Sequence, residues 1–279
     1  MAHTGLTHSD WLGLVPELVQ DCVDRWELEL GDPYTQGAAG YTVRVAMPDG
    51  TPAVLKLIYP HREAEHEAAA LAAWDGDGAV RLLESSVDGS AMLIERCEPG
   101  TLLGTADAET ALAVLVGLLP RLWKHVIGPF DSLADEVEHW LAEIPRGWER
   151  AGRPVGRPLL DEVNENLRAL ASSQGEQVLL HQDLHTDNVL AAEREPWLVI
   201  DPKPILGERE FSVAPIVRDY VLGHSRSAVL HRLDRLTSEL GLDRERAIWW
   251  TIGQTTAWMF ENTQLRKHIE TIRWLREAA

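Results

Sequence analysis

Val178-Leu-Leu-His-Gln-Asp-Leu-His-Thr-Asp-Asn-Val-Leu190, followed by Ala191-Ala-Glu-Arg-Glu-Pro196 and Trp197-Leu-Val-Ile-Asp-Pro-Lys203, is the stretch on which the fold turns. The apolar runs at Val189 and Trp197 flank a polar turn and predict a hairpin. Asp183 and Asn188 then lie on the loop before it and Asp201 at the end of its second strand. One return of the chain thus brings three oxygen-bearing side chains together, a donor set without sulfur that suits a hard cation such as Mg²⁺. A plainer reading makes Asp183 and Asn188 turn formers capping the hairpin.

Outward from this stretch, the order of elements is lopsided. On the N-terminal side, Tyr41-Thr-Val-Arg-Val45 and Ala53-Val-Leu-Lys-Leu-Ile58 flank Pro48-Asp-Gly50 and predict a β-hairpin. Arg62 to Trp74, rich in Glu, Ala and Leu, predicts a helix ended by Gly76 and Gly78, and Ala91 to Glu95 a further strand. Beyond Pro99-Gly100, the expected linker, helices are predicted over Asp107 to Leu119, Ser132 to Glu143, Leu159 to Ser172, Ser227 to Leu240 and Arg244 to Leu275. The expectation is an α+β chain of two domains, 1–98 and 99–279, with a ligand site at their junction.

Composition narrows the functions open to it. With 26 Lys and Arg against 44 Asp and Glu, the 279 residues carry a formal net charge of −18, which argues against a general nucleic-acid binder. A hydrophobic fraction of 45% and a charged fraction of 25% are ordinary for a folded chain. Apolar runs such as Ala111 to Leu119 are too short to span a membrane, and no signal segment opens the chain, so a soluble cytoplasmic protein without membrane or nucleic-acid partners is expected. Cys22 and Cys97 are too few for a disulfide framework or a cysteine-rich zinc site.

His181-x-Asp183-Leu184-x-x-x-Asn188 has the form of a kinase catalytic loop, with Asp201 standing where the aspartate of D-F-G would stand. In that chemistry Asp183 orients the attacking hydroxyl and takes its proton, while Asn188 and Asp201 hold Mg²⁺ against the phosphates. A phosphoryl-transfer site also needs a cation on the α- and β-phosphates. Lys56 is the sole lysine of the first 123 residues and sits in a V-A-I-K-like strand, Ala53-Val-Leu-Lys56. Glu63 and Glu67 share a face of the next helix, so either could pair with it, and a strand-edge lysine beside a solvated helix is the alternative. Gly37 and Gly40 precede the hairpin and are candidates for phosphate contact through backbone N–H groups, though turns carry such glycines routinely. His181 and His185 are expected to bond the loop backbone rather than a metal. Trp258 with Glu261, in the tryptophan-rich last helical stretch, are candidates for a cationic acceptor's pocket; core packing is the other reading of such tryptophans.

Together these residues resemble the aminoglycoside phosphotransferase family, and within it the aminoglycoside and hydroxyurea resistance kinase subgroup that includes streptomycin 6-kinases. Pro52-Ala-Val-Leu-Lys56, His66-Glu-Ala-x-Ala-Leu71, Gly78-Ala-Val-Arg-Leu-Leu83, Leu93-Ile-Glu-Arg-Cys-Glu-Pro-Gly100 and Ile200-Asp-Pro-Lys-Pro204 extend the likeness from about Gly31 to Arg218. The resemblance implies a bilobal protein-kinase-like fold with a small β-rich N-lobe and a larger, mainly helical C-lobe. It also implies ATP as donor, Asp183 as catalytic aspartate, Asn188 and Asp201 as Mg²⁺ ligands, and Lys56 with Glu67 as the phosphate-anchoring pair. Glu95 to Cys97 occupies the position of a hinge that offers backbone groups to adenine. The implied partner is a cationic small-molecule hydroxyl acceptor, streptomycin-like, on a monomer or weak homodimer. An amino sugar, hydroxyurea, another hydroxylated metabolite, or a nucleotide-binding pseudokinase are the alternatives. Four departures stand out: Gln182 for the loop's usual Gly, Thr186-Asp187 for Pro-Gly, Ser212 for an aspartate that would brace the loop, and Lys203 in place of the second acid of a D-x-D form. Lys203 is expected to salt-bridge rather than to contact phosphate.

Overall fold

The computed structural model describes residues 7–34, 40–261 and 263–279, with Glu261 described through its backbone alone. The chain divides into two units: 1–101 with 190–204, and 102–189 with 205–279. The first division falls after Thr101 rather than Glu98, and residues 190–204 belong with the first unit. The reason is backbone pairing: Gly100 donates to the Ala191 carbonyl and Ala191 to that of Thr101, while Val199 donates to Gly78 and accepts from Val80.

The first unit is built on a five-stranded antiparallel sheet of order β1-β2-β3-β5-β4. Its strands are β1 (Glu29–Pro33), β2 (Gly40–Ala46), β3 (Pro52–Ile58), β4 (Leu82–Ser85) and β5 (Ala91–Glu95). The expected hairpin is β2–β3: Met47 and Thr51 pair across the turn, and Gly50 takes φ +83°, which a side chain would resist. A helix absent from the sequence reading, α1 (His8–Trp26), carries Trp11, Val15, Val19 and Cys22 at spacings of four, four and three, an apolar stripe that joins Val43, Val45, Leu55 and Leu93 in one core cluster. Thr7 and Asp10 close a capping box at its start, and Pro16, which lacks a donor, lies inside it. The helix expected over 62–74 is shorter: a 3₁₀ turn at Arg62–Ala64 precedes α2 (Glu67–Trp74).

The second unit is mainly helical, with α3 (Ala108–Leu122), α4 (Leu133–Arg150), α5 (Arg157–Ser172), α6 (Ala214–Val217), α7 (Arg226–Leu240), α8 (Arg244–Trp258) and α9 (Leu265–Arg276). The single helix expected over 244–275 is two, α8 and α9, separated by a 3₁₀ turn at Met259–Glu261. Asp107, Ser132, Ser225 and Asp243 cap four of these helices, each accepting a backbone N–H of the first turn. Between α5 and α6 the chain leaves helix for β6 (Gln177–His181), β7 (Val189–Ala191), β8 (Trp197–Val199) and β9 (Pro204–Glu208), in which β6 pairs with β9 and β7 with β8. The polar centre of the unit is Glu208, 1% exposed, which accepts from the Arg246 guanidinium at 2.7 Å, from Gly175 N at 3.0 Å and from Trp250 Nε1. Phe211 packs edge-on to Trp250 at 5.5 Å and lies 5.9 Å from Trp140. Among the described residues no helix is long and apolar enough to cross a membrane.

Candidate active site

In the first unit the site is assembled around Lys56. It lies mid-strand in β3, opposite Thr42 on β2 and Met92 on β5, so sheet pairing fixes its backbone on both sides. Its ammonium donates to Glu67 Oε1 at 2.5 Å and to Asp201 Oδ1 at 2.8 Å. Burial opposes the charge, but Glu67 and Asp201 outweigh it and raise the lysine's pKa above its ordinary value. Glu67 is 3% exposed and Asp201 49%, so one carboxylate anchors the ammonium from inside while the other offers oxygen outward. Glu63 pairs instead with Lys203 at 3.0 Å, an ion pair that accounts for Lys203 without a phosphate.

Asp201 lies two residues beyond the end of β8 and holds φ +54°, in the left-handed region and immediately before Pro202. Both features are unfavourable for a non-glycine residue, and the ion pair to Lys56 helps fix the side chain's direction there.

The side chains of the remaining described first-unit candidates have surroundings of their own. The Glu95 carboxylate is gripped by Arg194, whose Nε and Nη2 reach its two oxygens at 2.8 and 2.9 Å while the same guanidinium binds the Gly76 and Ala79 carbonyls. Sequence reading missed Arg194, because a lone arginine in a turn carries no signature of a contact to a residue 99 positions away. Cys97 has its thiol pushed up to about 12, first by burial and then by Glu95, so it stays protonated. A Cβ on Gly40 would lie 2.5 Å from the Leu57 carbonyl oxygen, so close strand approach by itself demands glycine there. Gly37 lies outside the described residues.

The second unit holds the loop between β6 and β7. Asp183 N donates to Nδ1 of the buried His181 at 3.2 Å, and Asp187 N to His185 Nδ1 at 3.3 Å, so both histidines bond loop backbone. Asn188 Nδ2 donates to the Asp183 carbonyl at 2.8 Å, which ties these two positions of the motif together and leaves Oδ1 as the amide's acceptor. Gln254 Nε2 on α8 donates to the Gln182 carbonyl at 2.8 Å, fixing the peptide immediately before Asp183. Gln182 is 1% exposed, and its buried Nε2 has no partner.

Two residues that sequence reading left without a role act on this loop. Asp219 accepts from Thr186 N and Oγ1, and Arg218 brings its guanidinium 4.0 Å from Asp183 Oδ1. Ser212 is a helix-turn residue that donates to the Arg209 carbonyl at 2.6 Å and accepts from Trp123 Nε1. Trp258, a candidate to receive a substrate cation, carries the protein's own: the Arg218 guanidinium lies 4.5 Å from its ring centroid. The Glu261 side chain lies outside the described residues.

Among the described residues no group of three His, Cys, Asp or Glu side chains is gathered to hold a metal alone.

Comparison with known proteins gives a consistent picture. A streptomycin 6-kinase of Streptomyces griseus is 39% identical over 262 residues, covering 90% of this chain and 85% of its own length. A hydroxyurea phosphotransferase of Kitasatospora aureofaciens is 37% identical over 273 residues, 95% of this chain and 79% of its own. Among solved structures, the choline kinase of Streptococcus pneumoniae aligns with a TM-score of 0.65 at 13% identity over 94% of this chain and 99% of its own. An aminoglycoside phosphotransferase solved with ADP and hygromycin B aligns at 0.63 and 11%, over 92% and 95%. At those identities the structures establish the protein-kinase-like fold. The sequence profile described as aminoglycoside/hydroxyurea antibiotic resistance kinase matches residues 25–262, and the chain belongs to that kinase family.

Proposed function

We propose that this chain transfers the γ-phosphoryl group of ATP to a hydroxyl of a streptomycin-like aminoglycoside. The observation that carries the reading is the buried Lys56 ammonium shared by Glu67 and Asp201, because a strand lysine pinned between two carboxylates is the anchor an α,β-phosphate needs. Asp183 takes the proton of the acceptor hydroxyl as the new O–P bond forms and the bond to the β,γ-bridging oxygen breaks, releasing ADP. Bound Mg²⁺, with Asn188 and Asp201 as its protein ligands, supplies charge neutralisation for the phosphates. The rest of the rate enhancement is positioning: hydrogen bonds accepted by His181 and Asp219 and donated by Gln254 and Asn188 hold the loop before the acceptor arrives.

The net charge of −18 favours encounter with a polycationic acceptor. Hydroxyurea is the second reading of the acceptor, favoured by the 37% identical hydroxyurea phosphotransferase. The reading places the enzyme in the cytoplasm, where ATP is supplied.

ATP consumption by purified protein with Mg²⁺, across a panel of aminoglycosides, amino sugars and hydroxyurea, tests it. Turnover on an aminoglycoside, cut by about 10²–10⁴ in Asp183→Ala with nucleotide affinity unchanged, is the expected result. Turnover on hydroxyurea alone would establish the second reading, and silence across the panel with ATP still bound would leave a nucleotide-binding module.

A further inference from the structure

We propose that Arg218 is a positioning residue of the phosphoryl transfer, holding the Asp183 carboxylate by its charge while the Trp258 ring holds the guanidinium. The proposal rests on the kinase reading above.

Arg218 follows α6 and precedes Asp219, so one turn of chain delivers a cation to Asp183 and a carboxylate to Thr186 three residues further along the same loop. Its side chain is 11% exposed, and its Nε is buried without a hydrogen-bond partner. The distance to Asp183 Oδ1, 4.0 Å, is too long for a hydrogen bond but short for a Coulomb contact away from bulk water. As a device for stability this is poor, because burying a guanidinium costs more than a long ion pair returns. Packing on Trp258 at 4.5 Å offsets part of that cost and keeps the planar group from swinging away. His185 Nε2 also lies 3.9 Å from Asp183 Oδ1, so two nitrogen groups face the same oxygen. A base that is oriented before the acceptor binds contributes to turnover rather than to nucleotide affinity.

The test compares Arg218→Met, Arg218→Lys and Arg218→Ala with wild type in acceptor phosphorylation and thermal unfolding. For a folded Arg218→Met, kcat is expected to fall about 100-fold with the KM for ATP within about twofold. Arg218→Lys, which keeps a cation, retains more of the rate. Millimolar guanidinium restores turnover to Arg218→Ala, which a structural loss elsewhere would not allow. If Arg218→Met does not fold, Trp258→Leu is the second probe, expected to lower kcat about tenfold at unchanged KM for ATP. A folded Arg218→Met with near-normal kcat, equal losses in the Lys and Met variants without guanidinium rescue, or an unimpaired Trp258→Leu would each overturn the proposal. A wild type silent on every acceptor sinks the kinase reading and the assignment together, whereas an active wild type with unimpaired variants sinks the assignment alone.

Discussion

Asp219 Oδ2 accepts two hydrogen bonds from Thr186, from its backbone N at 2.9 Å and from its hydroxyl at 2.8 Å, while Oδ1 accepts from Val221 N at 2.9 Å. The loop that carries Asp183 is therefore braced by a carboxylate seven positions beyond Ser212, the position at which the family resemblance implies one. Asp219→Ala leaves buried donors without an acceptor and should cost about 2–4 kcal/mol of stability. Thr186→Val removes only the hydroxyl bond and should cost about 1 kcal/mol. Urea denaturation of the two variants checks the ranking; equal effects would show that the backbone bond contributes nothing.

Breaking the Lys56–Glu67 pair should separate stability from activity. Lys56→Met leaves the Glu67 carboxylate, 3% exposed, without its cation and is expected to destabilise the protein by about 3–5 kcal/mol. Lys56→Met/Glu67→Leu replaces the pair by apolar groups and should recover most of that loss while remaining inactive. Calorimetry alongside a turnover assay decides it, and a double variant as unstable as the single one would contradict the account.

Stability should also depend on pH through His268. It is 1% exposed, both ring nitrogens lack partners, and burial, aided by Arg218 and His224, lowers its pKa to about 4. The unfolded chain binds a proton near pH 6.5 that the folded chain refuses until about pH 4. Stability from the neutral ring is therefore whole above pH 6.5 and is lost as pH falls toward 4, to the extent of about 2–3 kcal/mol. His268→Phe should flatten that part of the profile and leave stability at pH 7 equal or higher, since it buries no unsatisfied nitrogen. Denaturation at pH 7.0, 5.5 and 4.5 for both proteins measures the difference; parallel profiles would reject it.

Glu208 should be the most stability-critical carboxylate of the helical unit. Arg246, Trp250 and Gly175 all donate to it, so Glu208→Ala orphans a guanidinium, an indole N–H and a backbone N–H at once. A loss of about 3–5 kcal/mol is expected. Thermal unfolding within a few degrees of wild type would refute it.

Local pattern determined much of this protein. The β2–β3 hairpin follows from two alternating runs around Pro48-Asp-Gly50, and the spacing of Asp183, Asn188 and Asp201 around a hairpin is a property of one contiguous segment. Other features lay outside any local signal. Pro16 and Gly13 blurred the helical period of α1, although Trp11, Val15, Val19 and Cys22 show its buried stripe once the sheet they cover is known. No Gly or Pro stands between Trp258 and Leu265, so the strongest punctuation was missing at the break between α8 and α9. The choice between Glu63 and Glu67 could not be made from their spacing, since both lie on one face; only the tertiary structure gives Glu63 to Lys203 and Glu67 to Lys56. The same holds for Asp219 on Thr186, Arg194 on Glu95 and Arg218 between Trp258 and Asp183. Secondary structure and loop spacing are set by interactions a few residues long, which a sequence displays directly. The partners of a buried charge are set by which distant segments pack beside it, and only the folded chain brings those segments together.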